Sequence, residues 1–123
     1  MSATVLAHHP TGSHYICNPP VMNTDRDMIF LVDNKTVAGL ELLTEGWTTD
    51  WKVYSKTDFV SYKKSVDGTI LNVLLTEDKN YYDRFVLATN IAKRLNVLKK
   101  DDRIALFDAI VYGPEGEDDA PSF

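Results

Sequence analysis

Asp25-Arg26-Asp27-Met28-Ile29-Phe30-Leu31-Val32 is the stretch on which the fold turns. Its apolar, β-prone run from Met28 to Val32 is short and suits a buried strand better than a helix. Side chains alternate across a sheet, so carboxylates at i and i+2 that open such a strand point to the same face. Two carboxylates on one face can share hard cations. Magnesium takes oxygen ligands and completes its octahedron with water and substrate phosphates, so Asp25, Asp27 and a triphosphate form a coordination set. Upstream, Thr11-Gly12-Ser13 supplies a turn. Gly12 permits close backbone approach, and the Ser13 hydroxyl with neighbouring N–H groups can take a phosphate oxygen. A side chain at position 12 is therefore expected to weaken phosphate binding more than folding.

Beyond Val32, Asn34 can cap a helix whose apolar positions Val37, Leu40 and Leu43 recur at helical spacing, with Gly46 as its C-terminal glycine and Trp47 closing over that end. Phe59, Val60 and Tyr62 favour a strand over 58–64. Asp67-Gly68 is a tight-turn signal, and Ile70 to Leu75 reads as the returning strand. Thr76 offers an N-cap for a long helix with Tyr81, Phe85, Ala88, Ala92 and Leu95 along one stripe. A second helix follows from about Asp101 to Tyr112 and is stopped by Gly113-Pro114. These two helices are expected as an antiparallel pair on one face of a small mixed sheet.

The whole chain supports one domain. Its 123 residues, 44% apolar and 25% charged, have the balance of an ordinary globular protein. No run approaches a membrane span, and the N-terminus lacks the regions of a signal peptide, so the expected location is the cytoplasm and no membrane partner is expected. The net charge of -5 is concentrated toward the end, where Glu115, Glu117, Asp118 and Asp119 stand without a basic residue. This divides the chain into a domain over 1–113 and a flexible acidic tail over 114–123. It also argues against tight non-specific nucleic-acid binding, which needs a basic face. Lys63-Lys64 and Lys99-Lys100 are local basic patches compatible with a triphosphate, and otherwise solvated surface. Cys17, the single cysteine, reads as a reduced, partly buried thiol rather than a nucleophile served by His8, His9 or His14.

The order of these parts carries a resemblance. Thr11-Gly-Ser-His-Tyr-Ile-Cys-Asn-Pro-Pro20, Asn23-Thr-Asp-Arg-Asp27, Ser61-Tyr-Lys63, Leu71-Asn-Val73, Tyr82-Asp-Arg-Phe85, Ala92-Lys-Arg-Leu95, Asp102-Arg-Ile104 and Phe107 together resemble the DNA polymerase β-like nucleotidyltransferase superfamily. The similarity is greatest to small nucleotidyltransferase-like proteins encoded by bacteriophages. What the resemblance implies is a minimal α/β (α+β) nucleotidyltransferase fold, with helices packed on one face of a small mixed sheet. It further implies that Gly12 and Ser13 hold triphosphate oxygens while Asp25 and Asp27 ligate two Mg2+ or Mn2+ ions. One ion would hold the triphosphate, and the other would prepare an acceptor hydroxyl for in-line attack on the α-phosphate, with pyrophosphate leaving.

Three features depart from the family pattern. Active members carry a third carboxylate on a neighbouring strand, where this chain reads Ile70-Leu71-Asn72-Val73-Leu74. Asn72 can ligate a metal through its carbonyl oxygen but brings no charge; Asp58 or Asp67 are the other candidates, although the turn already explains Asp67. Pro19-Pro20 limits any helix after Ser13 to about one turn, and only eleven residues precede Gly12.

Two functions follow. The first is a metal-dependent nucleotidyltransferase that moves a nucleoside monophosphate to an unknown acceptor hydroxyl on protein, RNA or a small molecule; in a phage setting it would work in the host cytoplasm. The alternative is a catalytically weak or inactive domain of the same fold that binds a nucleotide or a partner protein, as an antitoxin or a modulator of a host enzyme. The broad apolar helix face is compatible with a homodimer, and Trp47, Trp51 and Tyr54 suit either that interface or a base-stacking pocket.

Overall fold

The computed structural model describes residues 2–22, 25–49 and 59–112. They form an α+β structure, a five-stranded mixed sheet with four α-helices. The order is β1 (Val5–Thr11), α1 (Gly12–Ile16), β2 (Arg26–Val32), α2 (Lys35–Thr44), β3 (Thr48–Thr49), β4 (Val60–Val66), β5 (Thr69–Thr76), α3 (Lys79–Leu95) and α4 (Lys100–Phe107), followed by a π-helical turn, Asp108–Tyr112. Across the sheet the strands run β1-β2-β5-β4-β3. The central pair β2 and β5 is parallel; the other pairs are antiparallel.

The apolar run is continuous because β2 is covered on both sides. Ile29 and Leu31 pack with Leu74, Tyr81, Ala88 and Val111 on one face, whereas Val32 joins Tyr62 and Leu75 on the other. The expected helix pair lies over the Ile29 face, where Phe85 of α3 and Phe107 of α4 close the core. The opposite face has a cover of its own, built from Ala38 and Leu42 of α2 together with Trp47.

α2 begins as its sequence indicates, the Asn34 side chain accepting from Val37 N at 3.0 Å, and Gly46 follows its end at φ +93°. Its rotation is different. Leu40 and Leu43 are 58% and 44% exposed, and the buried position is Gly39, where an added Cβ would overlap the Tyr62 hydroxyl and stand 2.9 Å from Cζ. The helix presses its glycine against β4, so Ala38 and Leu42 face inward in place of the expected stripe.

The hairpin β4–β5 is as expected, with Asp67 and Gly68 both left-handed, at φ 51° and 81°. Thr76 is not the cap of α3. It is fully buried as the last residue of β5, and Asp78 caps the helix by accepting from Tyr81 N at 3.1 Å. The α3 stripe holds through Ala92, but Leu95 is 66% exposed, since the chain turns back at left-handed Asn96. α4 and the π-helical turn together cover the expected second helix, and the turn carries Val111 into the core. Trp51, Tyr54, Asp58, the Gly113-Pro114 stop and the tail 114–123 lie outside the described residues. Among the described residues no helix is long and apolar enough to cross a membrane.

Candidate functional site

β1 ends at Thr11, and the chain turns sharply at Gly12, φ +79°. Only glycine adopts this conformation without strain. It also has no Cβ to accommodate: one placed there would overlap Asp27 Oδ2 and lie 2.8 Å from Cγ. Gly12 is thus packed directly on the second carboxylate of the motif, and Ser13 follows it in the first turn of α1, where its carbonyl accepts from Cys17 N at 3.1 Å. The helix has five residues, in keeping with the limit set by Pro19-Pro20. A side chain at position 12 is expected from the sequence to weaken phosphate binding more than folding; its φ and its contact with Asp27 show that folding would be affected as well.

Strand pairing assembles the rest in one row. Thr11 is opposite Asp27, Asp27 opposite Asn72, Asn72 opposite Lys63, and Lys63 opposite Thr48. Residues directly opposite one another share a face, so the row presents Asp27, Asn72 and Lys63 together. Asp25, just before β2, is drawn to this row by Lys63, whose Nζ is 3.1 Å from its Oδ2, and its charge is felt at Asp27. The Thr11 end is locked to α3 by a 2.8 Å hydrogen bond between the Thr11 and Thr89 hydroxyls, both buried.

Asp27 is the electrostatic centre. Its Oδ1 is buried without a hydrogen-bond partner. Burial raises its pKa from 3.8 to about 6; the Asn72 side chain opposes the rise, the charge of Asp25 adds to it, and Lys63 also opposes it. A buried oxygen with no donor marks a place for a cation, because leaving it unsatisfied is costly. Asn72 is committed on both sides: its Oδ1 accepts from Ser61 Oγ at 2.6 Å, and its side chain hydrogen-bonds the Asp27 carboxylate. To serve as a metal ligand its amide must turn over, after which Nδ2 could donate to Ser61 Oγ and Oδ1 would be released. No group of three or more His, Cys, Asp or Glu able to hold a metal occurs among the described residues. Asp67 stays in its turn. The fit to a divalent ion therefore rests on Asp25 and Asp27, with Asn72 as a neutral third group.

Lys63 was legible and was missed. The two-residue turn Asp67-Gly68 sets Val66 opposite Thr69, and counting back three rungs places Lys63 against Asn72. Expected as part of a local basic patch compatible with a triphosphate and otherwise solvated, it is an exposed residue whose ammonium pairs with Asp25. Trp47 lies on the opposite face, in the α2 cluster, so it does not serve a base pocket at this site.

Open space surrounds the carboxylates. A cleft of about 310 Å³ is lined by His14, Met22, Asp25, Arg26 and Ile70, and one of about 460 Å³ by Thr11, His14, Arg26, Asp27 and Lys93. The loop between α1 and β2 that shapes them is tied to α3: Asn96 Nδ2 donates to Asn18 O and Asn96 Oδ1 accepts from Asn18 N, both at 2.9 Å, and Lys93 Nζ donates to Tyr15 O at 2.8 Å. Cys17 is 2% exposed, and Arg103 Nη1 donates to its Sγ at 3.3 Å. The histidines are engaged elsewhere: His8 stacks on Phe30, His9 Nδ1 is 2.6 Å from Pro10 O, and His14 Nδ1 is 3.4 Å from Val21 O. The thiol reads as structural.

In comparison with known proteins, the chain matches no family model, no curated protein and no solved structure. What can be said of function comes from these residues and their geometry.

Proposed function

We propose that the chain binds a nucleoside triphosphate with Mg2+ or Mn2+ at Asp25 and Asp27, and that it is a nucleotidyltransferase moving the nucleoside monophosphate to an acceptor hydroxyl. The observation that carries the reading is the buried, unpartnered Oδ1 of Asp27, in a carboxylate held under Gly12 and within reach of the charge of Asp25. Such a carboxylate is unfavourable alone and favourable beside a cation. When bound, the ions supply charge neutralisation at the phosphates and a lowered pKa for the acceptor hydroxyl. The protein's own residues do the positioning. Gly12 lets the turn pack onto the Asp27 carboxylate, Ser13 is placed in the adjoining turn, and Arg26 and His14 line the neighbouring clefts with groups that suit phosphate oxygens. Lys63, released from Asp25 as a cation takes its place, has the charge and reach to meet a phosphate as well.

A second reading, binding without turnover, is favoured by Asn72. The row has an amide where a third carboxylate would help deprotonate an acceptor, and that amide faces Ser61. One experiment separates the two. The protein is incubated with each α-labelled nucleoside triphosphate and magnesium or manganese, and pyrophosphate release, self-labelling and melting temperature are followed. The transferase reading expects release or labelling that disappears in Asp27→Asn. A metal-dependent rise in melting temperature with neither leaves the binding reading, and the absence of any response removes both.

A further inference from the structure

A third cleft, of about 260 Å³, opens between the Asp27 face of the sheet and the helices α3 and α4. Thr11, Gly12 and Asp27 are among its lining, so it adjoins the candidate site. Its walls are aromatic: Phe59, Tyr81, Phe85, Phe107 and Tyr112. The rings are tilted against one another rather than stacked, with Phe85 and Phe107 at 5.1 Å and 68°, and Tyr81 and Tyr112 at 6.2 Å and 57°. This is not a sealed packing defect. Ile104, 49% exposed, and the exposed Asp108 also line it, and Phe59, Phe85, Phe107 and Tyr112 are half-buried, whereas Tyr81, 1% exposed, belongs to the core behind them. Aromatic surface left open to water at the edge of a core is a feature that a ligand covers favourably.

The lining specifies the occupant. The half-buried rings of Phe85, Phe107 and Tyr112 are the aromatic surfaces here against which a flat heterocycle can pack. Asp108 is an acceptor and prefers a ring edge that carries N–H donors. Asp27 and Asp108 together disfavour an acyl chain ending in its own carboxylate. Arg103, which also lines the cleft, has its Nη1 turned to the backbone, donating to Leu98 O at 2.7 Å and Val97 O at 3.0 Å. Whole-ligand sites run from about 300 Å³ upward, so this cleft has room for one part of a ligand. We infer that it takes the base of the nucleotide, a flat nitrogen heterocycle whose N–H edge meets Asp108, while the phosphates lie at Asp25 and Asp27. The inference rests on the function proposed above and adds to it the recognition of the base.

The test compares ligands with and without a base. Titration calorimetry of the full chain with manganese is run for ATP, GTP, CTP and UTP, and separately for tripolyphosphate. The wild type is expected to bind at least one nucleoside triphosphate about tenfold or more tighter than tripolyphosphate, the order that base stacking on aromatic side chains supplies. Ile104→Trp, which fills the cleft from a half-exposed position, is expected to bring that nucleotide down to the tripolyphosphate level and leave tripolyphosphate unchanged. Asp108→Ala, at an exposed position, repeats the comparison with no added bulk and is expected to erode the same preference. If the wild type shows no preference, if the variants keep it, or if they weaken both ligands equally, the cleft does not hold the base, and the metal site is untouched by that result. If the wild type binds neither ligand, both proposals fall.

Discussion

Gly12 and Asp27 act as one packing unit, and two predictions belong to them. Gly12→Ala places a methyl group on the Asp27 carboxylate at a backbone conformation that L-residues rarely adopt. Left-handed strain alone costs about 1–3 kcal/mol. Chemical denaturation should show a loss of at least this size without any ligand present; an unchanged midpoint would mean that the turn relaxes freely. Asp27 itself gives stability a pH dependence opposite to that of a salt-bridged carboxylate. Its folded pKa, about 6, lies above the unfolded value of 3.8. Folding therefore favours the protonated acid: this stability is complete below the unfolded pKa and is lost as pH rises through the folded one. The shift corresponds to a few kcal/mol at most, at about 1.4 kcal/mol per unit. Without metal, melting temperature should fall between pH 4 and pH 7 more steeply in the wild type than in Asp27→Asn. Parallel profiles would show that the group titrates normally.

Among the elements, those whose signal is local were legible in the sequence. Asp67-Gly68 set the hairpin and its register because both residues must be left-handed, and the Met28 to Val32 run set β2 because a strand covered on both sides needs no polar alternation. The α2 face was not legible. A stripe of leucines counts apolar side chains, but here the contact is made by the residue that lacks one, and Gly39 against Tyr62 fixes the rotation. Nor could Thr76 be recognised as a strand end, since a hydroxyl suits either role until the better cap at Asp78 is seen in place. Within the site, Gly12, Asp25, Asp27 and Asn72 were visible from their order, while Lys63 needed the strand register. Gly39→Ala tests the α2 account. In a free helix the change gains about 1 kcal/mol in propensity, but here overpacking against Tyr62 should reverse the sign, with a net loss of about 1–2 kcal/mol. Combining it with Tyr62→Phe, which removes the nearest atom, should recover part of the loss; strict additivity of the two changes would place the helix farther from β4.

At the scale of the whole molecule, the candidate site joins elements far apart in the chain, so metal and nucleotide should report on global stability. The charges of Asp25 and Asp27 repel each other, and Asp27 is held in a partly desolvated place; without metal, Asp27→Asn should leave stability at pH 7 unchanged or raise it. Asp25→Asn removes only a partly exposed pair with Lys63, a small effect. With manganese and a nucleoside triphosphate at about a hundred times its dissociation constant, the wild type gains roughly 2.7 kcal/mol, which is on the order of 10 °C in melting temperature for a chain of this size. Both mutants should lose most of that gain, reversing their rank. Asn72→Asp should move the other way. A third carboxylate in the row adds repulsion, so the apo protein should melt lower, yet it completes the oxygen set and should bind manganese more tightly. Pyrophosphate release that appears only in Asn72→Asp would identify the neutral amide as the block on turnover. If Asp25→Asn and Asp27→Asn both retain the full metal-dependent rise, the cation binds elsewhere and the functional reading of this face is wrong.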